Sequence, residues 1–190
     1  MVVLNKIYTR TGDAGETALG NGNRVKKYDD RVNTYGTVDE TNATVGMARI
    51  YAVGDMDDQL AMIQNDLFDL GADLCRPDMA NDASAEYPPL RISDAQVDRL
   101  EQQIDAMTQA VEPLRSFVLP GGTALAAHLH LCRTVSRRAE RLCVALATEE
   151  DVNPAALKYL NRLSDWFFQA SRIANDDGRS DVLWVPGANR

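Results

Sequence analysis

Hydrophobic residues recur at spacings of three and four in five stretches of the chain, the period of amphipathic helices. The clearest stripe, of leucine and isoleucine, covers residues 56–74, and a weaker one covers about 32–51. Ser93 followed by Gln96 has the pattern of an N-cap with a capping box. It predicts a third helix that ends before Pro113.

Two further helices are predicted in the second half of the chain. One is capped by Thr123 and runs to about residue 148; the other starts at Asn153–Pro154 and ends near residues 177–178. They are the longest and most apolar, so we expect them at the centre. Residues 75–92 read as a long connection, and no stretch predicts a strand. The predicted fold class is all-α, an antiparallel five-helix bundle.

The chain is expected to be one domain, residues 1–190, with an N-terminal loop at 7–28, a bundle at about 32–177 and an irregular tail at 178–190. Its net charge of -8 argues against a nucleic-acid surface. No apolar run reaches the ~20 residues that span a bilayer. Residues 1–13 lack the features of a secretory signal. Three widely spaced cysteines form no C-x-x-C pair, so we predict a cytoplasmic protein.

A row of arginines lies on the fourth predicted helix. Arg133, Arg137 and Arg141 follow at steps of four, with Arg138 and Glu140 beside them, so three guanidinium groups share one face. One interpretation is a solvated face in which Glu140 pairs with Arg137. The other is an anion site, such as one for ATP, because Glu140 is the only acid within the row and the helix should be the most buried.

The N-terminal loop contains the sequence TRTGDAGET at residues 9–17. Glycines let backbone N–H groups face a ligand, and threonine hydroxyls donate to phosphate oxygens. Lys27 could reach the same anion. A polar turn with a solvated lysine is the alternative, since the sequence matches neither the P-loop nor the dinucleotide fingerprint.

Further polar and aromatic residues leave alternatives open. Asn161 and Asp165, four apart on an apolar helix, either tie the bundle to an arginine of the fourth helix or, for Asn161, contact a ligand. Phe117, before the Pro-Gly-Gly turn, is typical of a core residue. His128 and His130 are interpreted as structural. No nucleophile–histidine–acid set stands out, so an enzyme here would act by positioning and electrostatics.

Six segments occur in the order TRTGDAGET, RVKK, YGTVDETNATVG, FVLPGG, RRAER and YLNRLSD. Together they resemble the PduO-type family of ATP:cob(I)alamin adenosyltransferases, over about residues 7–173. The resemblance implies a five-helix bundle that assembles as a homotrimer, with active sites between subunits. It implies transfer of the 5′-deoxyadenosyl group of ATP to the cobalt of cobalamin, release of tripolyphosphate, and Mg²⁺ as the metal.

The resemblance also assigns residues. It implies ATP-binding positions at Thr9, Arg10, Thr11, Gly12, Asp13, Gly15, Thr17, Ala18, Lys27, Arg137, Arg138, Glu140, Arg141 and Asn161. Arg137 and Glu140 are the central ones. Ala18 and Thr41 depart from the residues common in the family, which puts local contacts in question rather than the resemblance.

Three other roles, which involve four residues, follow from the resemblance. Arg133 corresponds to an interface arginine that pairs with an aspartate of the neighbouring subunit, here Asp39. Phe117 corresponds to the aromatic residue at the lower face of the corrin ring. Asp165 corresponds to a functionally sensitive acid.

Two other classes of function remain compatible with the residues. One is a helical module that senses ATP without chemistry, and the other is a structural bundle whose arginines bridge subunits. For the enzyme, the sequence leaves open which adenosylcobalamin-dependent enzyme receives the product. It also leaves open the role of residues 175–190, which we expect to become ordered only with substrate.

Overall fold

The computed structural model describes residues 7–190, so part of the segment on which the absence of a secretory signal was predicted lies outside it. The described chain is mostly helical, as predicted. Its α-helices are α1 Asp30–Arg49, α2 Asp55–Cys75, α3 Asp94–Ala110, α4 Ala124–Glu149 and α5 Pro154–Ala174. A short 3-10 helix, Met79–Ser84, adds a sixth helix to the five that were predicted.

The N-terminal loop contains a small antiparallel sheet that the sequence did not predict. Strands β1 Glu16–Ala18 and β2 Arg24–Lys26 pair with Thr17 opposite Val25. Three-residue strands are too short to show an alternating pattern. The turn between them places Gly22 at φ +87, a backbone conformation that favours glycine.

The helix caps follow the predicted chemistry. The hydroxyl of Thr123 accepts a hydrogen bond from the N–H of Ala126, and Ser93 forms its capping box with Gln96. The helix α5 ends at Ala174, earlier than predicted, and the chain then reverses through left-handed residues at Asp176 and Asp177.

The helices pack in the spatial order α2–α1–α4–α5–α3, so α4 and α5 lie against each other inside the bundle, as expected. Trp166, Tyr159 and Phe167 of α5 are fully buried. Burying such a side chain contributes roughly 1.5–3 kcal/mol. The polar atoms of the first two remain bonded: the Tyr159 hydroxyl donates to Asp66 at 2.8 Å and the Trp166 indole N–H donates to Gln103 at 2.8 Å.

The connection between α2 and α3 is ordered by Arg91. Its guanidinium donates to Asp82 at 2.8 Å and to Asp73 at 2.7 Å, at the end of α2. Hydrogen bonding with Arg91 holds the pKa of Asp82 below its ordinary value. Asp73 also accepts from the Ile92 N–H and from Asn153, so this buried carboxylate ties the connection to the start of α5.

The C-terminal tail packs against the segment that carries Phe117. Leu183 forms an antiparallel bridge with Val118, next to Phe117. No helix in the described part of the chain is long and apolar enough to cross a bilayer.

Candidate functional site

The arginine row lies on the outer side of α4. Cys132, Ser136 and Ala139 turn into the bundle, while the Arg137, Arg138 and Arg141 side chains are exposed. The expectation that the row would be buried with its helix is therefore wrong in the single chain. A helix packed between two neighbours still leaves one face open, and the four-residue step keeps these side chains on it.

A charged cavity of about 340 Å³ lies between α4 and α5. It is lined by Arg137, Glu140, Arg141, Val144 and Asn161. The side-chain amide of Asn161 donates to Glu140 at 2.7 Å, and its oxygen (Oδ1) accepts from the guanidinium of Arg162 at 2.6 Å. The structure thus brings together four residues that the sequence singled out from two separate segments.

Arg138 points away from this cavity and pairs with Glu40 of α1. Both side chains are about half exposed, so the ion pair contributes little to stability. The sequence missed Glu40, because only the packing of α1 against α4 brings it beside the arginine row.

Asp165 of α5 lies near the charged cavity but forms no hydrogen bond or ion pair with any described residue. Partial burial raises the pKa of its carboxyl group above the ordinary value. Glu140 raises it further, while the nearby Arg162 and Arg137 lower it. Asp165 is therefore not a tie between the helices, which was one of the two interpretations of this pair.

Phe117 is 76% exposed, so its interpretation as a core residue is wrong. Its ring faces that of Trp184, with 6.0 Å between the centroids. An apolar cavity of about 470 Å³ opens beside it, lined by Leu114, Ser116, Phe117, Val118, Arg133 and Phe168. The exposed ring of Phe117 thus forms part of the wall of this cavity.

Arg133 is the arginine of the row that lines the apolar cavity, one helical turn before Arg137. Its Nε is buried without a hydrogen-bond partner in the described chain. Burial, with a contribution from Arg137, lowers the pKa of its guanidinium, which nevertheless remains charged. A half-buried guanidinium of this kind calls for an acceptor from outside the chain.

His130, one turn earlier on α4, is almost fully buried, as its structural interpretation predicted. Its ring meets Phe168 edge-on at 6.4 Å, and neither ring nitrogen has a partner among residues 7–190. Burial, together with the charge of Arg133, lowers the pKa of the imidazole. A neutral imidazole therefore stands behind the apolar cavity.

Two basic side chains, those of Arg24 and Lys27, lie against the N-terminal loop. Arg24 donates to the carbonyl oxygen of Thr11 at 2.7 Å. Lys27 lies so close to Gly12 that a Cβ there would come within 3.0 Å of its Nζ. The hydroxyls of Thr9 and Thr11 are hydrogen-bonded at 3.0 Å. The loop thus gathers threonine hydroxyls and a lysine on one segment, and Arg24 is the residue of this group that the sequence did not single out.

The hairpin of this loop is anchored to the end of α2. The N–H of Gly20 donates to the carbonyl oxygen of Cys75 at 2.8 Å, and the amide of Asn21 donates to Asp78 at 2.9 Å. A Cβ on Gly20 would stand 3.1 Å from the Cβ of Arg76, so only glycine fits without a shift. Burial raises the pKa of the Tyr35 phenol above its ordinary value, and hydrogen bonding with Thr17 of β1 partly opposes this rise.

The loop and the charged cavity remain separate within one chain. No hydrogen bond or ion pair joins the described loop residues to Arg137, Arg138 or Arg141. Asp39 is likewise exposed on α1, in a surface groove that includes Phe68, and forms no ion pair with Arg133 in the described structure.

The family model for cobalamin adenosyltransferase matches residues 7–174. A corrinoid adenosyltransferase of Mycobacterium tuberculosis is 51% identical over 195 residues, covering 100% of this chain and 97% of the relative. One from Bacillus subtilis is 42% identical, covering 96% and 94%. A variant PduO-type ATP:corrinoid adenosyltransferase from Lactobacillus reuteri, solved with cobalamin and ATP, superposes with a TM-score of 0.85 at 40% identity, covering 95% of this chain and 97% of that one.

The family match and these named relatives place the helical bundle among the transferases that act on corrinoids. The chain belongs to the cobalamin adenosyltransferase family, and its solved relatives are of the PduO type.

Proposed function

We propose that this protein transfers the 5′-deoxyadenosyl group of ATP to cob(I)alamin, forming adenosylcobalamin and releasing tripolyphosphate. One observation carries the proposal. Arg133 lines the apolar cavity and Arg137 lines the charged cavity, on consecutive turns of α4. Side chains four residues apart on a helix lie about 6 Å from each other, so a corrin and a triphosphate could be held side by side.

The reaction needs no nucleophile from the protein, because cob(I)alamin is itself one. The cobalt attacks C5′ of ATP, a cobalt–carbon bond forms, and the C5′–oxygen bond breaks with its electron pair going to tripolyphosphate. Arg137 and Arg141 stabilise the negative charge that develops on the leaving group. Glu140 accepts the hydrogen bond of Asn161, and this contact holds both side chains in the wall of the charged cavity. There, Asn161 and Glu140 bind the nucleoside.

The apolar cavity is assigned to the corrin. Phe117 covers the lower face of the ring and keeps the axial base off the cobalt, which makes cobalt(II) easier to reduce to cobalt(I). Its exposure supports this role, because an aromatic ring left outside the core is available to a ligand.

The N-terminal loop is assigned to the triphosphate, through Thr9–Gly12, Thr17 and Lys27, with Arg10, Asp13, Gly15 and Ala18 shaping the same segment. Because this loop and the α4 arginines are separate in one chain, the site is assembled from two subunits of a homotrimer. Arg133 then finds its missing acceptor in Asp39 of the neighbouring subunit, and Arg138 exchanges Glu40 for the nucleotide.

Magnesium accompanies ATP. No cluster of three carboxylate, imidazole or thiolate groups able to hold a metal ion occurs within residues 7–190. An ion held mainly by phosphate oxygens and water fits this donor set, since Mg²⁺ commonly takes only one or two protein carboxylates. When bound, it neutralises triphosphate charge, and the arginines orient that triphosphate.

The whole chain acts as a single domain in the cytoplasm and passes its product to an adenosylcobalamin-dependent enzyme. Its three cysteines are free thiols, which suits a reducing compartment. Burial raises the pKa of both Cys132 and Cys143 to about 12, so they stay protonated and unreactive.

Mixing the protein with ATP and cob(I)alamin tests the proposal. The absorption spectrum of a cobalt–carbon bond is expected to appear, together with one tripolyphosphate for each corrin. ATP binding without this spectrum would instead identify a sensor module. Binding of neither ligand would leave a structural bundle.

A further inference from the structure

The C-terminal tail runs along the Phe117 segment as an antiparallel partner. The Trp184 N–H donates to the carbonyl oxygen of Phe117 at 2.7 Å, and the Leu119 N–H donates to that of Val182 at 2.8 Å. The Ser116 hydroxyl donates to the Trp184 carbonyl oxygen at 2.7 Å. The tail therefore supports the backbone of Phe117 and also supplies the aromatic ring that faces it.

This short pairing is anchored at one end by a buried cluster, the C-terminal clasp, formed by Arg172, Asn175 and Asp181. Arg172 donates to Asp181 at 2.9 Å, and their side chains are only 6% and 3% exposed. Asn175 donates to the other carboxylate oxygen of Asp181 at 3.1 Å. Asn175 also accepts from the Thr123 N–H at 3.0 Å, so the clasp joins α5, the start of α4 and the tail.

The turn after Phe117 is fitted closely over the clasp. Gly122 has φ +100, and a Cβ on it would collide with the Asn175 side chain. The Asn175 amide also reaches the carbonyl oxygen of Gly121 at 3.3 Å. The clasp therefore contacts both the turn after Phe117 and the tail that pairs with the Phe117 segment. It contacts the turn directly, through Asn175, and holds the tail through Asp181.

Asp181 directly precedes Val182, where the pairing with the Phe117 segment begins. A shift of one residue in such a pairing turns every side chain to the opposite face, which would carry the Trp184 ring away from Phe117. The single bridge between Val118 and Leu183 is too short to set its own register. The buried Arg172–Asp181 ion pair lies next to the first paired residue of the tail, so it can set the register instead.

We propose that Asp181, clasped by Arg172 and Asn175, is a positioning residue that sets the register of the tail and so holds Phe117 in place over the corrin. This inference rests on the proposed role of Phe117. It goes beyond that role by assigning a function to side chains that touch neither ATP nor the corrin cavity.

The test compares Asp181→Asn with Asp176→Asn. Asp176 forms an exposed ion pair with Arg179 in the same segment, and asparagine tolerates its left-handed backbone, so this variant is a matched control. The first readout is acrylamide quenching of tryptophan fluorescence in the protein alone. The other tryptophan, Trp166, is fully buried, so its quenching should be the same in every variant. A change in total quenching therefore reports on the exposure of Trp184.

The second readout is the fraction of cob(II)alamin without its axial base, measured by electron paramagnetic resonance with ATP present. Asp181→Asn is expected to increase quenching, to lower this fraction, and to reduce kcat by about ten- to a hundred-fold, as expected for a small misplacement near the chemistry. The Kd for ATP should not change. Asp176→Asn should match the unmodified protein in all four measurements.

Phe117→Ala is expected to lower the base-off fraction, which tests the proposed role of Phe117 separately. If it does, two results with Asp181→Asn would overturn the proposal and leave the proposed function intact. One is no change in quenching, and the other is increased quenching with an unchanged base-off fraction. If Phe117→Ala leaves the fraction unchanged, the role of Phe117 fails and this proposal fails with it. Should Asp181→Asn lose its helical signal, Ser116→Ala removes the far hydrogen bond of the tail without touching the clasp. It is expected to shift both readouts in the same direction, and unchanged readouts would again overturn the proposal.

Discussion

The amide of Asn161 donates a 2.7 Å hydrogen bond to Glu140, which joins α5 to α4 at the wall of the charged cavity. This contact turns one carboxylate oxygen of Glu140 toward α5. Arg137 forms no ion pair with any described residue, although Glu140 lies three positions further along its own helix. The row is therefore open to an anion on the side of this cavity.

Replacement of Arg137 by alanine should lower kcat by about 10²- to 10³-fold, the loss typical when one group that stabilises transition-state charge is removed. The helical signal and the assembly state should be retained, because the side chain is exposed. Steady-state kinetics and circular dichroism measure the two effects. Arg179→Ala removes an exposed arginine from outside the site and should leave kcat unchanged; undiminished turnover by Arg137→Ala would exclude the proposed role.

Asp165→Asn should stabilise the protein at pH 7 while lowering its activity. The pKa of Asp165 is raised in the folded state by burial, so the folded chain disfavours the carboxylate. Well below the unfolded pKa of about 3.9, the carboxyl is protonated in both states and the cost disappears. The rise in Tm should therefore be present at pH 7 and vanish as the pH falls below that value. A lower Tm at pH 7 would show that the carboxylate stabilises the fold instead.

Reversing the charge of Arg133 should weaken the proposed trimer, because its half-buried guanidinium is predicted to bind Asp39 of a neighbouring subunit. Arg133→Asp and Asp39→Arg should each shift the protein toward monomer in sedimentation velocity, and the two changes together should restore much of the assembly. Buried pairs of this kind lose about 3–5 kcal/mol when one partner is removed. A double variant no better than either single one would argue against the pairing.

The anchor of the N-terminal loop offers another exchange experiment. Asn21→Asp keeps the acceptor that orders the turn but places two carboxylates together, and should raise the KM for ATP by about three- to ten-fold with little change in kcat. Adding Asp78→Asn restores the hydrogen bond with the roles exchanged, because residue 78 then donates and residue 21 accepts. The KM for ATP should therefore return toward its original value. If the double variant is as impaired as Asn21→Asp, the hydrogen bond does not position the loop.

The sequence by itself determined the helices and several of their ends. The spacing of leucines in α2, the capping box at Ser93 and the Asn153–Pro154 start all act within a few residues, so they can be read locally. The two short strands were not predicted, because a stretch of three residues is too short to show an alternating pattern. The residues of the charged cavity could likewise be selected from their spacing and from the family resemblance.

Only the tertiary structure decided which of these residues meet. In the folded chain Arg138 forms an ion pair with Glu40, and Glu140 accepts a hydrogen bond from Asn161. The Nε of Arg133 has no acceptor among the described residues. The tertiary structure also exposed Phe117 and laid the tail beside it. Such outcomes depend on how helices distant in sequence pack and on which side chains that packing removes from water. A local period determines which face of a helix a residue occupies, whereas its partner across that face is set by the assembled bundle.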